Sequence, residues 1–439
     1  NFKRGDLLKV LITAALPYVN NVPHLGNLIP VLSADIFARF KRLKEEDILY
    51  ICGTDEHGTA TETVAMREGM TPQEVCDKYF RIHRDSYEWL KISFDHFGRT
   101  SKPYQHEITQ HIFLKLYENE YIFERDLEQT YCPYCERFLA DRYVEGECPH
   151  CGFEDARGDQ CENCGKVYDP KDLINARCSL CGNSPVVRTT RHLFLDLPQF
   201  EERLLEFIDE RKDIWSSNAV NFSLAWIKEG LEPRCITRDL EWGVHVPLPG
   251  WEHKVFYVWF DAPIGYISIT QEYCDMNGTA WEDWWKNPEE VKLYQFMGKD
   301  NIPFHTVIFP ATLMGADEGY TLLHQISVNE YITYEGGPFS KSRGIGVFCD
   351  DAMTSGIPPD AWRYYLFINR PEKQDTHFYW EDLQEKTNAE LVGNLGNFVY
   401  RTLSFAHQYL NGVITTEELA EEDEAFLQQV NQQVESAEH

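Results

Sequence analysis

Eight of the thirteen cysteines fall into four Cys-x-x-Cys pairs: CPYC (Cys132, Cys135), CPHC (Cys148, Cys151), CENC (Cys161, Cys164) and CSLC (Cys178, Cys181). Three of the four are followed at once or nearly so by a glycine, Gly152, Gly165 or Gly182, that permits a tight turn. Two thiolates three positions apart on such a turn converge on one tetrahedral ion, and two knuckles complete a four-sulfur site; this is the chemistry of structural zinc. Iron–sulfur ligation uses the same donors. Disulfides would need an oxidising compartment, and Cys52, Cys76, Cys235, Cys274 and Cys349 are scattered like ordinary buried thiols. Spacing leaves two pairings open. Adjacent pairing joins the first knuckle with the second and the third with the fourth. Nested pairing joins the second with the third and closes the first and fourth around them.

A second stretch, NNVPHLGNLIP at 20–30, follows the apolar run from Val10 to Leu16. A proline, a histidine and a glycine crowd the junction between that run and the helical period of LSADIFARFKRLKE. The C-terminal end of a first strand, turning into a helix, is where open α/β sheets bind ligands. Gly26 lets backbone approach a phosphate, the helix N-terminus offers free N–H groups, and His24 can donate to phosphate oxygens. Taken alone, a His before a Gly at such a corner is more often structural. A third stretch, GGPFSKSRGIGVF at 336–348, presents Lys341 and Arg343 between serines. It reads either as a solvated surface loop or as a cationic clamp on a polyphosphate.

The elements that must position these residues form an interrupted α/β pattern. LKVLITAAL and DILYIC read as buried strands, and TPQEVCDKYFRIHRDSYEWLK as a helix opened by Thr71 with Pro72 in its first turn. Strand-like runs resume after the cysteine region at KVFYVWFDAPIG, LYQFMGKD, HTVIFPA and LHQISVNEYIT. The pattern predicts a parallel-sheet domain split by a metal-bearing insertion, with a polar helical segment from about Asp382 that looks cut off mid-element.

Composition bounds the rest. A chain of 439 residues with 43% hydrophobic and 14% aromatic residues supports two to four domains with real cores. No stretch reaches the roughly 18 apolar residues of a membrane span. KRGDLLKVLITAAL superficially resembles a signal peptide, but Lys9 interrupts its apolar run. A net charge of −30 argues against a general nucleic-acid coat, while leaving room for a local basic patch.

PHLGN resembles the His-Ile-Gly-His signature of class I aminoacyl-tRNA synthetases, and PFSKS their Lys-Met-Ser-Lys-Ser loop. The four knuckles, with AALPYVN, CGTDEHG, FYVWFDAPIGY and GKDNIPFH, narrow the resemblance to the methionyl-tRNA synthetase family, over essentially the whole chain. Two departures stand out: Asn27 where the signature usually ends in His, and Pro338 where the loop usually opens with Lys, which shifts more of the triphosphate contact onto Lys341.

The resemblance implies a Rossmann-like catalytic domain in two halves, 1–116 and 235–333, around a connective zinc-knuckle insertion at 117–234. A stem-contact region with the Ser-Lys-Ser loop follows at 334–381, and the start of a helical anticodon-binding domain at 382–439. It implies ATP-dependent activation of L-methionine and transfer to the 3′ end of its tRNA, with Mg2+ accompanying ATP, a cytoplasmic location and partners in synthetase complexes. Catalytic roles fall on His24, Asn27 and Lys341. The ATP side adds Gly26, Arg238, Lys299, Asp300, Ser340 and Ser342. The methionine pocket comprises Ala15, Leu16, Tyr18, Trp259, Ala262, Pro263, Tyr266 and His305, with Asp55 for the substrate ammonium. Asn397 and Arg401 match anticodon-reading positions. The resemblance also implies nested structural zinc sites, up to two: Cys148, Cys151, Cys161 and Cys164 inside, Cys132, Cys135, Cys178 and Cys181 outside.

Two rival readings are distinguishable. Leucine, isoleucine, valine or cysteine synthetases share both signatures, but the first three usually carry a much larger editing insertion. A non-catalytic zinc-ribbon RNA-binding protein would need neither His24 nor Lys341.

Overall fold

The computed structural model describes residues 9–140, 143–157, 161, 163–164, 169–337, 339, 344–413 and 419–436. The described chain clusters into two compact units, Asn1–Tyr379 and Trp380–His439.

The first unit is built on a five-stranded sheet. Its order, edge to edge, is Leu323–Asn329, Val291–Gly298, Lys9–Ala14, Ile48–Thr54 and His96–Arg99, every pair parallel. Lys9–Ala14 is central, with Val10 opposite Lys292 on one side and Ile48 on the other. A strand covered on both faces needs a continuous apolar run rather than an alternating one, which is why KVLITA is buried from its second residue onward. All strands point the same way, so the turns after Ala14, Thr54 and Gly298 share one edge of the sheet.

The helix Leu25–Leu43 starts on that edge and Pro72–Trp89 lies beyond it in sequence. Thr71 and Glu74 form a reciprocal capping box: Thr71 Oγ1 accepts from the Glu74 amide at 3.2 Å, and Glu74 Oε2 from the Thr71 amide at 2.8 Å.

Between the sheet's halves lies the insertion. Its base is a four-stranded antiparallel sheet in the order Arg234–Cys235, Val186–Leu195, Ile122–Cys132, Arg137–Phe138. A three-stranded sheet, Ala156–Arg157, Val144–Glu147 and Ile174–Cys178, follows. Its small core contains four of the knuckle cysteines, Cys132, Cys148, Cys161 and Cys178, with Leu139, Tyr143, Val144, Ala156 and Leu173.

Two strand expectations are corrected. HTVIFPA is helical: a π-helical turn over Phe304–Ile308 runs into an α-helix over Phe309–Ala316. KVFYVWFDAPIG contributes only the two-residue strand Val255–Phe256, then helical turns over Val258–Asp261 and Ala262–Ile264 and the helix Gly265–Asn277. Short apolar runs carry no periodicity that separates a buried helix from a buried strand. Pro263 and Pro310 decide it: each lacks an N–H for a sheet ladder but fits the first turn of a helix.

The second unit is helical: Trp380–Lys386, a π-helical stretch over Thr387–Gly396, Asn397–Leu410 and Glu421–Ser436. Among the described residues, no helix is long and apolar enough to cross a membrane.

Candidate active site

His24 occupies the N-cap of Leu25–Leu43. Its Nδ1 accepts from the Gly26 amide at 3.1 Å, and the Asn27 side-chain oxygen accepts from the His24 amide at 3.1 Å. With Nδ1 accepting, the neutral ring carries its proton on Nε2, a donor available to an anion. Burial pulls the imidazole down to about 4, so it is neutral at physiological pH. The ring stacks on Phe339, centroids 4.7 Å apart and planes 6° apart, and meets Phe348 edge-on. Two backbone bonds fix the corner against the far side of the serine–lysine loop: Leu25 N to Val347 O at 3.3 Å and Cys349 N to Pro23 O at 2.8 Å. Asn27, in the place of the usual His, therefore has a definite task in closing the capping box. Pro338, Ser340, Lys341, Ser342 and Arg343 lie outside the described residues.

The next corner of the same edge carries Asp55. Residues Tyr18 and Asp55 bridge in parallel, with Asp55 N donating to Pro17 O at 2.9 Å and Val19 N to Asp55 O at 3.2 Å. The carboxyl is buried, and its Oδ1 has no partner among the described residues. Burial foremost, then repulsion from Asp261 and Glu56, raises its pKa well above the ordinary carboxylate value. A cation arriving there would relieve that penalty.

Aromatic side chains stand beside this carboxyl. Trp259 Nε1 donates to the Tyr18 hydroxyl at 3.1 Å, and the indole packs on Phe304 with centroids 4.7 Å apart. Both Tyr18 and Trp259 are exposed for their size, at 40% and 44%, unlike the core aromatics. Tyr266 and His305 are fully enclosed and joined at 2.9 Å through the hydroxyl and Nε2. His305 Nδ1 donates to Asn301 O at 2.9 Å, so Nε2 accepts from Tyr266. Burial holds His305 at about 4. Phe304 extends the Tyr18–Trp259 pair, and His305 forms a second pair with Tyr266. Leu16 is half-buried against the main core, Ala15 is tied to the sheet by its amide bond to Phe296 O at 2.8 Å, and Ala262 and Pro263 lie in the turn after Trp259.

Of the residues expected on the nucleotide side, Lys299 and Asp300 lie on the same edge and Arg238 lies in the two-stranded sheet of Thr237–Arg238 with Val255–Phe256. Lys299 and Asp300 follow the strand Val291–Gly298 directly. Lys299 Nζ donates to Glu330 at 2.6 Å and Asp375 at 3.2 Å, and Asp300 accepts a short hydrogen bond from the Tyr331 hydroxyl. Arg238 lies 3.7 Å over the Tyr257 ring.

Sequence reasoning missed Phe304, Phe339, Asp261 and His57. The last two form a buried pair, Nδ1 to Oδ2 at 2.7 Å. Their signal was present: each sits inside a quoted motif, one or two positions from a residue already singled out.

The cysteines form two tetrads. Cys132, Cys135, Cys178 and Cys181 gather in one, Cys148, Cys151, Cys161 and Cys164 in the other, each with sulfurs within 4.8 Å of one another. The pairing is nested. Cys132–Cys181 sulfurs are 3.5 Å apart and Cys151–Cys161 sulfurs 3.6 Å. A tetrahedral ion with zinc–sulfur bonds of about 2.3 Å has edges of about 3.8 Å. The donor set and spacing therefore fit zinc, with four protein sulfurs and no open position.

In the second unit, Asn397 and Arg401 lie one turn apart on Asn397–Leu410. With Gly393, Asn394, Phe398 and Thr402 they line an open depression.

The sequence model of the family "tRNA synthetases class I (M)" matches residues 10–403. The chain belongs to that family. It is 58% identical over 408 residues to the methionine–tRNA ligase of Treponema denticola, covering 92% of this chain and 51% of that protein. It is 54% identical over 424 residues to the cytoplasmic methionine–tRNA ligase of Homo sapiens, covering 96% of this chain and 47% of that protein. The chain spans about half the length of these curated relatives. Among solved structures, Mycobacterium tuberculosis methionyl-tRNA synthetase in complex with methionyl-adenylate superposes with a TM-score of 0.74 at 26% identity, covering 96% of this chain and 76% of that one.

Proposed function

We propose that this class I tRNA synthetase activates L-methionine with ATP to methionyl-adenylate and transfers the methionyl group to the 3′ end of its tRNA. The observation that carries the reading is the buried, unpartnered Asp55 oxygen beside the Tyr18–Trp259–Phe304 aromatic set. An α-ammonium group and an unbranched thioether side chain need those two features side by side. Sulfur–ring contacts add about 0.3 to 1.5 kcal/mol each.

In the first step a methionine carboxylate oxygen attacks the α-phosphorus in line; the new oxygen–phosphorus bond forms as the bond to pyrophosphate breaks. In the second, a terminal ribose hydroxyl of the tRNA attacks the carbonyl carbon and AMP leaves. The protein needs no covalent intermediate and contributes positioning and charge stabilisation. His24 donates from Nε2 to the phosphates, Gly26 admits the nucleotide to the helix N-terminus, and Asn27 locks the corner. Lys341, between Ser340 and Ser342, supplies the cation that Pro338 does not. Arg238, Lys299 and Asp300 border the nucleotide. Ala15, Leu16, Ala262, Pro263, Tyr266 and His305 shape the floor and walls of the methionine pocket. Mg2+ accompanying ATP would supply charge neutralisation on the phosphates.

The reading extends to the five-segment division at 116/117, 234/235, 333/334 and 381/382, to two structural zinc ions, to anticodon contact by Asn397 and Arg401, and to a cytoplasmic location, as the names of several relatives support. The test is amino-acid-dependent exchange of pyrophosphate into ATP. Methionine should support exchange, and leucine, isoleucine, valine and cysteine should not. Exchange with one of those four and none with methionine would overturn it, and no exchange with any amino acid would favour an RNA-binding role.

A further inference from the structure

Lys254 is among the largest fully buried side chains of the protein, at 1% exposure. Its Nζ donates to Thr190 Oγ1 at 2.5 Å and Asp239 Oδ1 at 2.6 Å, and lies 3.5 Å from His192 Nε2. The second Asp239 oxygen faces His192 Nε2 at 3.1 Å and accepts from Thr190 Oγ1 at 3.2 Å. On the other side of the imidazole, His192 Nδ1 meets Thr237 Oγ1 at 2.9 Å, and that hydroxyl accepts from the Leu193 amide at 3.1 Å. The donors and acceptors run in one direction: Leu193 amide to Thr237 hydroxyl, Thr237 hydroxyl to His192 Nδ1, His192 Nε2–H to Asp239.

Burial pulls the Lys254 ammonium below the ordinary lysine value, and Asp239 opposes that. For Asp239 burial alone would raise the carboxyl, but bonds from His192 and Lys254 outweigh it and hold the group ionised. A buried ion pair is weak evidence for stability, because desolvation offsets most of the attraction. What this one does fix is geometry. Thr190 and His192 belong to the insertion strand Val186–Leu195, whereas Thr237 and Asp239 flank Arg238 on both sides. Arg238 itself is steered by a bond to Thr237 O at 2.8 Å and by the Tyr257 ring 3.7 Å beneath it; Tyr257 N in turn donates to Ile236 O at 2.8 Å.

We propose that Lys254, acting through Asp239 and His192, is a positioning residue for Arg238, holding the guanidinium at the nucleotide side from the base of the insertion. This rests on the reading of Arg238 as a nucleotide-side residue. Lys254 and His192 are both buried. Their contribution is to restrict residues 237–239 to one backbone path, and a misplacement of about 1 Å can cost about a hundredfold in rate.

The test measures methionine-dependent pyrophosphate exchange against ATP concentration, with thermal unfolding in parallel, for wild type, Arg238→Ala, Lys254→Met, Thr237→Val and Thr237→Ser. Lys254→Met and Thr237→Val should raise KM for ATP by about tenfold or more, while KM for methionine moves less than about threefold. Thr237→Ser keeps the hydroxyl and should restore the wild-type value. If Lys254→Met does not fold, Thr237→Val decides alone, since it removes one oxygen at nearly constant shape. If Arg238→Ala leaves KM for ATP unchanged, the nucleotide-side placement fails and this inference with it. If Arg238→Ala raises KM but Lys254→Met and Thr237→Val lower only the unfolding temperature, the placement stands and the positioning role is overturned.

Discussion

The indole Nε1 of Trp259 donates to the phenolic oxygen of Tyr18 across 3.1 Å, joining residues 241 positions apart. One comes from the turn after the central strand and the other from the helical turns after the insertion. Their bond joins the segments before and after the insertion, next to the Tyr18–Asp55 bridge. Both rings remain partly exposed, as the methionine-facing role proposed for them requires. Trp259→Ala should weaken methionine binding by about 2 kcal/mol or more, the scale of losing an aromatic anchor, and narrow discrimination against leucine. Tyr18→Phe, which deletes only the hydrogen bond, should cost about 1 kcal/mol. Methionine-dependent and leucine-dependent exchange on both variants checks this. A Trp259→Ala protein with altered ATP affinity and an unchanged methionine constant would move the residue out of the pocket.

Asp55 must be ionised to hold an ammonium group, yet burial keeps its pKa raised in the empty site. Bound ammonium favours the carboxylate and lowers that pKa, so binding releases a proton wherever the empty site is protonated. Methionine affinity should therefore rise with pH up to the raised Asp55 pKa and be lost as the solution is acidified through it, at pH values well above the ordinary 3.8. Asp55→Asn should bind weakly and without this pH dependence. Fluorescence titrations with methionine over the whole pH range in which the protein stays folded follow this profile. A flat profile for the wild-type protein would show that Asp55 does not contact the ammonium.

A Cβ on Gly26 would sit 2.9 Å from His24 Cε1 and 3.3 Å from Ile332 Cγ2. Gly→Ala inside a helix ordinarily stabilises by about 0.5 to 1 kcal/mol. Here it should instead push the imidazole off its stack with Phe339. The expected result for Gly26→Ala is a large fall in exchange rate with ATP as the affected substrate. Exchange kinetics close to wild type would mean that the corner tolerates a methyl and that His24 is not held for phosphate.

The nested tetrads predict two zinc ions per chain. Cys148→Ser should release one ion and leave Cys132, Cys135, Cys178 and Cys181 metallated; Cys132→Ser should do the converse. Cobalt substitution counts the intact sites, because each four-thiolate site adds equally to the charge-transfer absorption, so either variant should show about half the wild-type intensity. Chelation should unfold the insertion, since sites of this kind contribute on the order of 10 kcal/mol to local folding. Loss of both ions from Cys148→Ser alone would contradict independent sites.

The sheet was legible because KVLITA and ILYICGT carry the continuous apolar signature of strands covered on both faces. The corner at His24 was legible because Pro, His and Gly have few reasons to cluster between a strand and a helix. HTVIFPA was misread, since a run buried on all sides looks the same in either conformation. Phe304, one position before that run and inside the motif GKDNIPFH, went unnoticed although the helical turn it opens sets it on the Trp259 ring. The Lys254 network was invisible, because Thr190, His192, Thr237, Asp239 and Lys254 come from three separate segments and none forms a spaced motif. Spacing could not choose the knuckle pairing either. That choice depends on how Val144–Glu147 pairs with Ile174–Cys178, a long-range event.

Nesting also sets an order in which two metals would be acquired. The inner ring closes between Cys151 and Cys161, 10 residues apart, and the outer between Cys135 and Cys178, 43 apart. Ring-closure entropy grows as the logarithm of length, so the outer closure costs about 1.3 kcal/mol more in an unstructured chain. The inner ion should therefore be captured first as the polypeptide emerges. Its capture draws the chain between the outer knuckles together before the second ion arrives, and the outer pair becomes the latch of a sequential assembly.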